Sequence, residues 1–127
     1  SWIYAALGAG VGRPPSFAEL TRRSLDFALV ATGCPLELAP LLMHTARRLA
    51  PFSEVRESLA ALKDQGARLA IVSNADADVL DDLVANAQLG GMFEHLLSVS
   101  QVRTYKPVPA VYRLATDSFG CEPRDIT

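Results

Sequence analysis

Residues 68–74 read RLAIVSN, and this stretch decides the fold. A short, continuous apolar run that ends in polar residues is typical of a buried parallel strand. A second run of this kind, HLLSV, occupies residues 95–99. Helical patterns end at Gly66 and span residues 76–87 and 109–119. This order predicts a doubly wound α/β sheet with right-handed connections, for which two strands alone are not enough.

The N-terminal part of the chain shows helical patterns only. SFAEL at residues 16–20 is a capping box, in which the serine and the glutamate exchange hydrogen bonds at a helix start. This helix is predicted to run to about Thr32 and to end near Gly33. A second helix is predicted with Pro35 in its first turn. Its apolar face would consist of Leu38, Leu41, Leu42, Thr45 and Leu49.

Pro51 marks the junction between two parts of the chain. We expect a helical unit at 1–50, whose two helices pack as an antiparallel pair apart from the α/β part, and part of an α/β core at 51–127. The chain starts without Met inside a helical pattern, SWIYAAL, and ends at EPRDIT, where an apolar strand is expected to begin. The sequence is therefore expected to be a piece of a longer protein.

The composition argues against several classes of function. Twelve scattered basic residues against fourteen acidic ones provide no basic face for nucleic acid. No apolar run approaches the ~20 residues needed to cross a bilayer, and the N-terminus lacks the basic region of a signal peptide. Cys34 and Cys121 lie far apart and outside any metal spacing. These features predict reduced thiols and a cytoplasmic location.

Polar residues follow both predicted strands. Ser73 and Asn74 come directly after the first strand, and a loop at 100–107 that contains Lys106 follows the second. Open α/β sheets bind ligands beyond the carboxyl ends of their strands. Because these ends point the same way in a parallel sheet, we expect the residues to converge. Pro107 favours an extended conformation for Lys106, which would lie in a stiff loop.

Each of these residues also has a simpler structural interpretation. Ser73, Asn74 or Asp76 can cap the following helix, and this is compatible with Ser73 and Asn74 binding an anion. Lys106 taken alone can be a surface lysine. Tyr112, one turn into the last helix, can be a half-buried packing residue or can point its hydroxyl toward the loop.

Three other patterns are not expected to carry chemistry. GAGVG at residues 8–12 lacks the preceding strand that a dinucleotide-binding glycine motif requires. The aspartates between residues 76 and 82 lack the spacing of a calcium loop and suit the positive end of a helix dipole. His44 and His95 show no pairing with a nucleophile. We expect no metal site.

The combination of these motifs resembles a known family. PFSEVRESLAALKDQGARLAIVSN at 51–74, then LLSV, then VRTYKPVPAVY at 102–112 are similar to the haloacid dehalogenase (HAD) superfamily, and more narrowly to the L-2-haloacid dehalogenases. The similarity covers nearly the whole chain and is strongest from Ala50 to Ala115. It implies an α/β fold with a HAD-like, Rossmann-like parallel sheet core, incomplete here, and an inserted helical cap.

The resemblance also implies roles for the candidate residues. Lys106 matches a lysine beside a catalytic aspartate. Ser73 and Asn74 match contacts with the substrate carboxylate and the transition state. Phe17 matches an aromatic residue that the cap places over the substrate, and Tyr112 a tyrosine at the rim of the site. The aspartate, a cap arginine and a last acidic motif are expected outside the chain, which by itself is expected to be inert.

The implied reaction is hydrolytic dehalogenation of short L-2-haloalkanoic acids to D-2-hydroxy acids through an aspartyl ester, without a metal or cofactor. The implied partners are a small 2-haloacid and a second copy of the protein, with neither nucleic acid nor membrane. Two alternatives stay open: a magnesium-dependent phosphatase of the same superfamily and a non-catalytic helical interaction module. Ala75 and Ser100 stand where the family commonly has glycine and aspartate.

Overall fold

The secondary structure follows the predicted order of elements. The computed structural model describes residues 15–127, so the SWIYAAL and GAGVG patterns lie outside the described residues. The main elements are α1 (Phe17–Ala31), α2 (Ala39–Ala46), α3 (Val55–Asp64), β1 (Ala70–Ser73), α4 (Ala77–Asn86), β2 (His95–Ser98) and α5 (Pro109–Phe119). Short 3-10 turns lie at Leu36–Leu38, Val99–Gln101 and Pro123–Asp125. The bounds of α5 agree with the prediction.

The two strands form a parallel pair with helices on both faces. The register runs from Ala70 opposite His95 to Ser73 opposite Ser98. Successive side chains of a strand point to opposite faces. Ile71 accordingly packs in a cluster with residues of α3 and α4, whereas the neighbouring Val72 packs in a cluster with α5. This three-layer arrangement confirms the predicted α/β class.

The start of α1 belongs to the core of the α/β part. Leu20 of α1 is buried in one cluster with Val99, Tyr105 and Val111. α1 also contacts α2, as expected. The expectation that the helical pair packs apart from the α/β part is nevertheless wrong at the start of α1. Leu20 packs there against apolar residues of the segment that follows β2.

The second helix begins later than predicted. Pro35 precedes a 3-10 turn, and α2 starts after it with Pro40 in its first turn. Proline has no N–H to bond to the carbonyl four residues earlier, so one continuous α-helix through this segment would lose a hydrogen bond. Leu49 lies beyond the end of α2, and Leu41 is 60% exposed, so the predicted apolar face is not buried within the described chain.

Both ends of α1 follow the prediction. The Ser16 hydroxyl accepts a hydrogen bond from the Glu19 N–H at 3.2 Å, and the Ser16 N–H donates to the Glu19 carboxylate at 2.6 Å. At the other end Gly33 has φ +69°, a left-handed conformation that favours glycine. Neither α1 nor any other helix within residues 15–127 is long and apolar enough to cross a bilayer.

We predict that Val111→Ala lowers the free energy of unfolding by about 2 kcal/mol, because it removes two methyl groups from a closed core. The Val111 side chain is 0% exposed, whereas Val30 on α1 is 65% exposed. At a protein concentration that keeps the chain monomeric, Val30→Ala is therefore the matched control and should change little. Urea unfolding followed by circular dichroism measures both, and equal effects would contradict the burial argument.

Candidate active site

Lys106 joins the carboxyl ends of the two strands. Ser73 and Ser98, the last residues of β1 and β2, lie opposite each other in the sheet. From the loop beyond β2, the Lys106 backbone N–H donates to the Asn74 side-chain oxygen at 2.9 Å. The Lys106 ammonium donates to the Val72 carbonyl oxygen at 3.0 Å. The structure therefore brings Lys106 to the Ser73–Asn74 turn, which is the convergence that the sequence predicted.

The Lys106 ammonium reaches the far edge of β1. The Leu69 carbonyl faces β2, because it accepts a hydrogen bond of 2.8 Å from the Glu94 N–H. Carbonyl groups of successive residues in an extended strand point to opposite edges of the sheet. The Val72 carbonyl, three residues later, therefore points away from β2. Within residues 15–127 this edge of β1 has no paired strand.

The open edge of β1 borders a cleft of about 820 Å³. Its lining includes Val72 of β1 and the preceding Leu69, Ala115 and Phe119 of α5, and Leu62 of α3. The cleft thus lies between helices of the two outer layers. At the carboxyl end of β1, the positively charged ammonium of Lys106 lies on this open edge.

Two serine hydroxyls fix the turn that follows β1. The Ser73 hydroxyl accepts a hydrogen bond from the Ala75 N–H at 3.0 Å. The Ser98 hydroxyl, from a residue only 1% exposed, donates to the Ala75 carbonyl at 2.7 Å and also lies 2.8 Å from the Ser100 hydroxyl. Ala75 is therefore held from both strands. Sequence reasoning missed Ser98, although a serine at the end of an otherwise apolar strand was a visible signal.

Asp76 does not cap its own helix. It occupies the N-cap position of α4 but makes no side-chain capping bond there. Its two carboxylate oxygens accept instead from the N–H groups of Phe17 at 3.3 Å and Ala18 at 3.1 Å. The interpretation of Asp76 as the cap of the following helix is therefore wrong, because unpaired N–H groups of α1 are the competing donors.

The two aromatic candidates lie in different surroundings. Phe17 is half-buried, and its ring centroid lies 6.4 Å from that of Tyr105, the residue before Lys106. The Tyr105 hydroxyl donates to the Pro15 carbonyl just ahead of α1. Tyr112 is 49% exposed in the first turn of α5, and no hydrogen bond joins its side chain to residues 15–127. The half-buried packing role is thus wrong for Tyr112 in this chain.

Two further aspartates of this region, Asp78 and Asp82, form ion pairs. Arg47 lies 2.9 Å from Asp78 and 2.9 Å from Asp82 on α4. The hydrogen bond from Arg47 lowers the pKa of the Asp78 carboxyl. No group of three or more potential metal-ligating side chains occurs among the described residues. His95 packs edge-on against Phe119 at 5.0 Å, which fits the structural role expected for it.

We predict that Arg47→Ala raises the pKa of Asp78 toward its ordinary value of 3.8, because the charged hydrogen-bond donor is lost. A carboxyl whose pKa is lowered on folding stabilises the fold above its unfolded pKa, and this contribution disappears as the pH falls through the folded pKa. An NMR titration of the Asp78 carboxyl measures the change. Arg48→Ala is the control, since Arg48 makes no ion pair with a described residue. An unchanged Asp78 pKa in Arg47→Ala would contradict the pairing.

Comparison with known proteins gives a consistent result. A sequence model described as haloacid dehalogenase-like hydrolase matches residues 40–127. Haloacetate dehalogenase H-2 of Moraxella sp. (strain B) is 38% identical over 97% of this chain and 56% of its own length. (S)-2-haloacid dehalogenase of Pseudomonas sp. (strain YL) is 39% identical over 94% of this chain and 52% of its own length.

Solved structures show the same similarity. The L-2-haloacid dehalogenase of Xanthobacter autotrophicus, with chloropropionic acid covalently bound, superposes with a TM-score of 0.80 and is 31% identical. The alignment covers 96% of this chain and 48% of that chain. The present chain therefore spans about half the length of the relatives it matches.

Proposed function

The chain belongs to the haloacid dehalogenase-like hydrolases, and on this premise we propose that the protein carrying it removes halide from short L-2-haloacids. The observation that carries the proposal is the position of Lys106, whose ammonium reaches the open edge of β1 while its backbone is bonded to Asn74. The two relatives, a haloacetate dehalogenase and an (S)-2-haloacid dehalogenase, support the substrate class.

The nucleophile is proposed to be an aspartate on a further strand beside β1. The open edge and its cleft leave space for such a strand. An ammonium group carries three N–H donors, and Lys106 uses one of them on the Val72 carbonyl. The other two can bind an aspartate that ends the adjacent strand. The positive charge would keep this carboxylate ionised, and therefore nucleophilic.

Ser73 and Asn74 are proposed to hold the substrate carboxylate. The Ser73 hydroxyl oxygen already accepts from the Ala75 N–H, so its own O–H can donate to an anion. The Asn74 side-chain oxygen accepts from the Lys106 backbone, which orients the amide N–H₂ group as the remaining donor. Both donors stand at the carboxyl end of β1, beside the proposed nucleophile, so they can also contact the transition state.

The reaction then takes place in two steps. An aspartate oxygen attacks C2 of the haloacid, forms an ester bond and releases halide with the bonding electrons. Water next attacks the ester carbonyl, which regenerates the aspartate and releases a D-2-hydroxy acid and a proton. Inversion at C2 follows from the single displacement there. The proposed reaction uses no metal ion or cofactor.

The helical unit at 1–50 is proposed to act as the cap over a core at 51–127. Phe17 begins the first described cap helix and packs beside Tyr105, next to Lys106, so it can cover the substrate. Tyr112 at its exposed position would lie at the rim of the site. The free thiols of Cys34 and Cys121 support the proposed cytoplasmic location.

We predict that Lys106→Met lowers kcat for 2-chloropropionate by more than about 100-fold in the full-length protein, since one charged donor at the reacting group is lost. Lys106→Arg should also be poor, because a planar guanidinium does not replace a compact ammonium. Halide release at saturating substrate measures the rate, and circular dichroism checks the fold.

Lys63→Met is the matched control for this experiment, because Lys63 is the chain's other lysine and, within residues 15–127, its ammonium bonds only the Gly91 carbonyl. It should retain near-normal turnover. Near-normal turnover in Lys106→Met would make Lys106 a surface lysine and overturn the site. If the unsubstituted protein released no halide but hydrolysed p-nitrophenyl phosphate with magnesium, the phosphatase alternative would replace the proposal.

We further propose that two copies of the protein associate through the helical unit. Large apolar side chains of this unit are exposed in the described chain, and exposed apolar patches mark interaction surfaces. They include Phe27, Val30, Leu41, Leu42 and Leu49. A homodimer would bury them against their counterparts.

A charge placed on this surface is predicted to weaken the dimer. Phe27, which is 77% exposed, is replaced by glutamate, and Ser58→Glu adds the same charge at an exposed position of α3, outside the helical unit, as the control. Light scattering of the full-length protein over a range of concentrations should show a monomer only for Phe27→Glu. A monomeric unsubstituted protein would refute the dimer and would imply that other parts of its own chain cover these side chains.

A further inference from the structure

The first N–H groups of α1 are satisfied by two different parts of the chain. A helix begins with backbone donors that have no partner within the helix. Ser16 and Glu19 satisfy two of them through the capping box. The N–H groups of Phe17 and Ala18 lie between these two residues and bond to the carboxylate of Asp76 instead. The helix start is therefore completed by a residue 58 positions away from Ala18.

Asp76 belongs to the same turn as the proposed carboxylate-binding residues. It follows Asn74 by two positions, and the turn between them is held by the hydroxyls of Ser73 and Ser98 on Ala75. The carboxylate of Asp76 stands at the N-cap position of α4 yet makes no bond to that helix. Its negative charge thus lies near the positive ends of both the α4 and the α1 dipoles.

We propose that Asp76 is a positioning residue that sets the distance between Phe17 and the Ser73–Asn74 turn. The Asp76 carboxylate accepts a hydrogen bond from the Phe17 N–H, and Asp76 itself lies two residues after Asn74 in the turn. This contact determines how far the Phe17 ring lies above a substrate held by Ser73 and Asn74. The inference rests on the proposed function, in which Phe17 covers the substrate.

The consequence concerns the substituent at C2 of the haloacid. 2-Chloropropionate has a methyl group that an aromatic wall can contact, whereas chloroacetate has none. One methyl group in an apolar pocket changes kcat/KM by about 10-fold or more. Removing the Asp76 carboxylate removes two hydrogen bonds from the start of α1, so the position of the Phe17 ring becomes less fixed. The preference for 2-chloropropionate over chloroacetate should therefore fall, mainly through the KM for 2-chloropropionate.

The test compares three variants of the full-length protein. In Asp76→Ala, the ratio of kcat/KM for 2-chloropropionate to that for chloroacetate is expected to fall by about 10-fold. Asp76→Asn keeps one side-chain oxygen as an acceptor and should recover part of this ratio. Asp78→Ala is the matched control, because it removes another α4 carboxylate that bonds the helical part, through Arg47 rather than near Phe17. It should leave the ratio unchanged.

Amide hydrogen exchange supplies a second readout that does not depend on turnover. The amides of Phe17 and Ala18 should exchange slowly in the unsubstituted protein and in Asp78→Ala, and faster in Asp76→Ala. Unaltered exchange in Asp76→Ala, an unchanged substrate ratio, or an equal loss of ratio in Asp78→Ala would each overturn the positioning role. No halide release from the unsubstituted protein would overturn the proposed function as well, so the two failures are distinguishable.

Discussion

The parallel pairing of β1 with β2 is the constraint on which the rest of the structure depends. Its register sets Ser73 opposite Ser98, so both strands end at the same level and their following turns meet. Ser98 then bonds the turn after β1, and Lys106 returns from the loop after β2 to bond Asn74. A one-residue slip of the register would turn every side chain to the opposite face. It would therefore disrupt both apolar layers and the site together.

Local patterns predicted the elements, and the rule for parallel strands predicted that Lys106 lies near Asn74. The periodicity of apolar residues is a property of neighbouring positions, so α5 was found with its observed bounds. Lys106 was expected near Asn74 because parallel strands end at one edge. The sequence pattern also placed a polar residue, Asp76, at a helix N-cap. The identity of its hydrogen-bond partner was not predictable, because two helix starts compete for one carboxylate.

The errors in the helical part also come from contacts between elements, which a local sequence pattern does not contain. Whether an apolar helix face is buried depends on what lies against it, and residues 27–49 present such side chains to the surface of the described chain. Leu20 and Leu29 of α1 are buried, and Leu20 is buried because it packs with Tyr105 and Val99 beside the candidate site. The start of α1 is thus joined to the core by apolar packing and by the two bonds of Asp76.

The position of Lys106 explains why lysine, rather than the arginine that dominates this chain, occupies the loop. Its backbone is fixed by Asn74, and its ammonium by the Val72 carbonyl at the open edge of β1. A guanidinium spreads its donors over a rigid plane, whereas an ammonium is compact and turns its N–H groups independently. An ammonium can therefore bond the strand carbonyl and turn its other two donors toward the carboxylate proposed on the neighbouring strand. The geometry therefore favours a point charge, which in the proposed site would lie beside an acid that must stay ionised to act as a nucleophile.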